Sequence, residues 1–79
     1  MNFETGLRLV RDTYDACDTL SYEAISIRMS RMAVLSVADL ESIAKQFNVW
    51  YPKRTKMSIV GAIKHKIEMR KSTFVRCSF

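Results

Sequence analysis

A chain of 79 residues, 48% apolar and 27% charged, is globular in type and too short for more than one domain. Such a domain buries only about 60% of its unfolded surface, which leaves few residues for a deep catalytic cleft. Five Lys/Arg meet seven Asp/Glu in residues 1–45, but eight meet one in residues 46–79, so a net charge of +7 lies in the second half and points to an anionic partner.

With two glycines and one proline, long helices are expected rather than a many-stranded sheet. The first is expected over residues 3–17. Phe3, Leu7, Val10, Tyr14 and Cys17 recur at steps of four and three and form one stripe. Asn2 can cap its start, and Gly6 weakens its first turn by about 1 kcal/mol relative to alanine. Asp18-Thr19-Leu20-Ser21 forms a turn and a second cap. A helix at Ser21–Ala33 follows, with Tyr22, Ile25, Met29 and Met32 inward and Arg28 and Arg31 outward. Its methionines suit gap-filling core better than an exposed docking face. The first two helices are expected to pair as an antiparallel hairpin over residues 3–33.

The third helix has the clearest entry. Ser36-Val37-Ala38-Asp39 has the spacing of a capping box. Val37, Leu40, Ile43, Ala44 and Phe47 then face inward, and Asn48 fits a left-handed stop. Val49–Thr55 is an extension, because the residue before Pro52 is biased to extended backbone. The fourth helix starts at Thr55 or Lys56, with Ile59, Val60, Ile63 and Ile67 inward. Lys56, Lys64, Lys66, Arg70 and Lys71 decorate its outer side and end, where cations suit the helix dipole. The tail, residues 72–79, is left open between a short strand, a segment folded over the core and a disordered end. The fold class expected is all-α, a single domain of about four helices: an N-terminal hairpin followed by a helix-extension-helix unit at residues 35–67.

Cys17 and Cys77 are too few for a secreted disulfide scaffold and are read as free thiols in a reducing compartment, a Cys17–Cys77 bridge being the alternative. The N-terminus lacks a basic region followed by an apolar run, so no secretory leader is expected. No apolar stretch approaches a membrane span. The expected location is cytoplasmic, or nuclear in a eukaryote.

The run Leu35-Ser36-Val37-Ala38-Asp39-Leu40, continued by Ile43-Ala44-Lys45 and, past the extension, by Lys56-Met57-Ser58-Ile59-Val60-Gly61-Ala62-Ile63, resembles the helix-extension-helix motif of SAP domains, LEM domains and the N-terminal domain of transcription terminator Rho. The resemblance covers residues 35–67, which is 33 of the 79 residues. Asn48 stands where the family usually has glycine, and Trp50-Tyr51-Pro52 replaces a more polar linker. The resemblance implies a binding module rather than an enzyme. SAP members commonly grip DNA through the linker and the start of the second helix of the pair, whereas LEM members bind proteins.

The candidate site is the cluster Lys53-Arg54-Thr55-Lys56 at a linker and a helix start, where cations and backbone amides can meet phosphate. Lys64 adds to the same positive end. Trp50 and Tyr51 could stack on a base or wedge into a groove. Core packing is favoured for Trp50 and exposure for Tyr51. No metal site is expected from His65, which stands alone between Lys64 and Lys66. No catalytic constellation and no cofactor are expected either. Asp12, Asp15 and Asp18 sweep round the first helix as a solvated face.

Two functions follow. The first is a small DNA-binding protein that holds duplex phosphates through Lys53, Arg54 and Lys56. The alternative is a non-enzymatic protein-interaction module, a phage- or plasmid-type regulator or inhibitor that docks on a larger nucleic-acid-handling protein. Homodimerisation through leftover apolar surface is compatible with either.

Overall fold

Side-chain oxygens set every helix start. Asn2 Oδ1 accepts from the amide of Thr5 at 2.9 Å, Ser21 Oγ from Ala24 at 3.0 Å, Ser36 Oγ from Asp39 at 3.2 Å, and Thr55 Oγ1 from Ser58 at 3.2 Å. Each satisfies an amide that the helix leaves unpaired, a contribution of about 1 kcal/mol. The computed structural model describes the backbone of residues 1–77 and the side chains of residues 1–73. Within these limits the chain forms four α-helices and no strand: α1 (Phe3–Asp15), α2 (Tyr22–Ser30), α3 (Val37–Gln46) and α4 (Lys56–Cys77). A 3₁₀ turn, Arg31–Val34, separates α2 from α3. The all-α class holds. The second helix is shorter than expected because its last turn tightens to 3₁₀ geometry.

α4 is the spine. Its 22 residues extend about 33 Å at 1.5 Å per residue, most of the 40 Å long dimension of the molecule. It packs against α1, α2 and α3. Ile59, Ile63 and Ile67 recur every four residues along it and are buried, and each contributes roughly 1.5–3 kcal/mol by leaving water. Val10, Ile25, Met29, Met32, Leu40 and Ile43 close the core around them. Met29 and Met32 are fully buried, in keeping with the gap-filling reading. α1 touches α2, but the main surface of α2 is spent on α4.

One open alternative is narrowed and one expectation changes. Residues 72–77 are neither strand nor return segment, since they continue α4. No glycine or proline follows Gly61 to stop that helix. Ser78 and Phe79 lie outside the described residues. Gly6, read only as a weakness, has a packing role. A Cβ there would lie 2.5 Å from Leu35 Cδ1, so the side chain of Leu35 sits directly on α1 backbone. Tyr22 is half out of the core, its hydroxyl 3.0 Å from Ser72 Oγ. Cys17 is buried as a free thiol, and the Cys77 side chain, on which the alternative bridge depends, lies outside the described residues.

Candidate functional site

The linker between α3 and α4 begins where α3 is stopped. Asn48 adopts φ 55°, the left-handed conformation that asparagine tolerates, and the amide of Val49 returns to the carbonyl of Ala44 at 2.8 Å. Residues 49–51 carry no helix or turn and alternate in exposure, whereas residues 52–55 bend, so the expected extension is only partly realised. Val49 and Tyr51 are half-buried, and Trp50 between them is 80% exposed.

Glu41, on α3, fixes the shape of this linker. Its Oε2 accepts from the Tyr51 hydroxyl at 2.7 Å and from Arg54 Nε at 3.0 Å, and its Oε1 accepts from Arg54 Nη2 at 2.9 Å. This is a two-point guanidinium–carboxylate pair with a phenol added. The Arg54 hydrogen bonds, and after them the Tyr51 hydroxyl, hold the Glu41 carboxyl below its ordinary range. The same Glu41 hydrogen bonds push the Tyr51 phenol and the Arg54 guanidinium upward. Because Arg54 is largely exposed, 77%, the pair adds little stability. With the Tyr51 hydroxyl it ties residues 51 and 54 of the linker to α3.

The predicted cluster does not converge. Arg54 turns to α3, while Lys56 Nζ reaches the other way to the carbonyl of Ala33 in the 3₁₀ turn at 3.1 Å. Thr55 Oγ1 is occupied as the cap of α4, and Lys53 is exposed, its backbone amide resting on Ser58 Oγ at 3.3 Å. Lys64 lies with Lys56 along a groove between α2 and α4, away from the linker residues. The two aromatics are exchanged relative to expectation. Tyr51 is anchored and Trp50 is free, because Glu41 offers an acceptor to the phenol and the register turns the indole outward.

Further along α4, Arg70 and Lys71 are structural. Arg70 Nε donates to the carbonyl of Tyr14 at 3.1 Å, with its guanidinium 4.3 Å from the centre of the Tyr14 ring. Lys71 Nζ donates to the carbonyl of Cys17 at 3.3 Å and lies 5.3 Å from the centre of the Tyr22 ring. α1 has no basic residue in its last turn, so α4 supplies positive charge to the negative end of α1. Asp12, Asp15 and Asp18 are exposed, as a solvated face should be.

Sequence reading missed Glu41 as the anchor, since no local spacing links residues 41, 51 and 54. It also passed over Met57, 87% exposed, and the open side of Gly61. Among the described residues no three His, Cys, Asp or Glu side chains are grouped to hold a metal ion. No helix there is long and apolar enough to cross a membrane. Comparison with protein-family models, curated proteins and solved structures finds no match to this chain.

Proposed function

We propose that the chain is a non-enzymatic nucleic-acid-binding module whose principal contact is Trp50, assisted by the Lys53 ammonium. The observation that carries this reading is an indole 80% exposed on a linker braced by Glu41, Arg54 and Tyr51. An aromatic held out in water on a linker tied to α3 suits stacking on a base. The +7 charge of residues 46–79 supports an anionic ligand. The resemblance of residues 35–67 to SAP and related domains favours binding over catalysis. The divergence of Lys53, Arg54 and Lys56 argues against the duplex phosphate clamp expected from charge alone and favours a segment with unpaired bases. Arg54 then acts as a brace and Lys53 as the direct phosphate contact.

Trp50 is the sole tryptophan, so its emission reports directly on such a contact. Titration with single-stranded DNA, single-stranded RNA and duplex DNA at two salt concentrations should quench it most strongly with the single strands. Trp50→Ala should weaken binding of a labelled single strand by about 5- to 150-fold, the equivalent of one stacked base. Equal affinity in parent and variant would reject the assignment.

A further inference from the structure

A second surface lies apart from Trp50. Between α2 and α4 runs a groove of about 490 Å³. Met29, Ala33, Met57 and Val60 supply its apolar wall, and Met57 is 87% exposed. Gly61 forms part of its floor, and nothing in the chain accounts for that glycine. Its φ is not positive, and a Cβ there would meet no atom within 4 Å. A mid-helix glycine weakens α4 relative to alanine, and here that weakening gains no internal packing, in contrast to Gly6. What it leaves is a flat strip of backbone that another helix can approach closely.

Charge selects the occupant. Lys56 and Lys64 are the charged residues along the groove, and no acidic residue lines it. Lys56 is held in place by the Ala33 carbonyl. A second copy of this chain fits poorly. Its freest aromatic, Trp50, lies among Lys53 and Arg54, so like charges would meet. Its acidic helix α1 exposes no large apolar side chain. We propose that the groove docks an amphipathic helix of a partner protein, with apolar residues at three- and four-residue spacing and Glu or Asp on its flanks. The apolar face covers Met57 and Gly61, and the acids meet Lys56 and Lys64.

The test uses the full chain and two labelled synthetic helical peptides, one with leucines flanked by glutamates and one with lysines in place of the glutamates. Anisotropy should show saturable binding of the acidic peptide and about tenfold or weaker binding of the basic one. Gly61→Leu should raise the melting temperature, because leucine is a better helix former facing open space, and still abolish peptide binding by filling the groove. Lys64→Glu should reverse the preference between the peptides. Trp50→Ala should leave peptide binding unchanged, which separates this proposal from the nucleic-acid reading. Equal binding of both peptides, or unchanged binding by Gly61→Leu, would overturn it. So would a dimer of the full chain in sedimentation that Gly61→Leu abolishes, or displacement of the acidic peptide by a single-stranded oligonucleotide.

Discussion

Towards the C-terminal end of α4 Arg70 and Lys71 turn inward, whereas around its start Arg54 and Lys56 part to different neighbours and Lys53 is exposed. Arg70 and Lys71 sit on the carbonyls of Tyr14 and Cys17 and beside two rings, completing the end of a neighbouring helix. Around the start of α4, Arg54 is tied to Glu41, Lys56 bends back to Ala33, and Lys53 stands in water. Both ends read alike in composition. The difference teaches that net charge sets how strongly a chain attracts anions at long range, whereas local partners decide which cations are available for contact.

Three measurements can break or sharpen that contrast. The largest effect is expected from the double substitution Arg70→Ala, Lys71→Ala. Stability should fall by roughly 1–2 kcal/mol in chemical denaturation, from lost helix-end charge and cation–ring contacts. The salt dependence of oligonucleotide binding should hardly move. If that slope collapses instead, the inward cations are ligands after all. Lys53→Ala should do the reverse, leaving the denaturation midpoint in place and reducing the slope of log affinity against log salt by about 0.7–0.9, one phosphate contact.

The smallest effect is the acid response of the linker. The Glu41 carboxyl titrates below its ordinary range. Its contribution is therefore fully present above the usual carboxylate value and is lost as pH falls through the lower folded value. Between neutrality and about pH 5 the linker should not change, and below about pH 4 the Tyr51 and Arg54 signals in NMR should shift together. Glu41→Gln should remove that acid step. The Tyr51 phenol is raised, so its share persists below the ordinary phenol range and is lost only as pH rises above it. An acid transition retained in Glu41→Gln would assign it to another carboxyl.

What could be read in advance was local. Ser36 with Asp39, Asn2 with Thr5, and Asn48 at the end of α3 each act within one turn, and each stands where the spacing placed it. The isoleucine stripe of α4 was equally legible, since its period comes from the helix alone. Trp50 and Tyr51 were not legible in the same way. Which of them faces out depends on Glu41, which becomes a neighbour of Tyr51 only after the chain reverses at Asn48. The roles of Arg70 and Lys71 depend on carbonyls more than fifty residues earlier in the chain. The tail is ambiguous in sequence because its alternating Val75, Cys77 and Phe79 allow a strand, while the absence of any stop residue lets α4 continue to Cys77.

The seating of Leu35 against the bare backbone of Gly6 has a consequence for dissection of the molecule. Leu35 opens the segment that looks most like a self-sufficient unit, yet its cover comes from α1, and Ile43 Cδ1 lies beside the same glycine. Cut free at residue 34, that segment would lose its lid and expose aliphatic carbon to water. The intact protein should therefore exchange its amide hydrogens in α1, α3 and the middle of α4 through one shared opening event, and an excised fragment should behave as a collapsed, fluctuating coil.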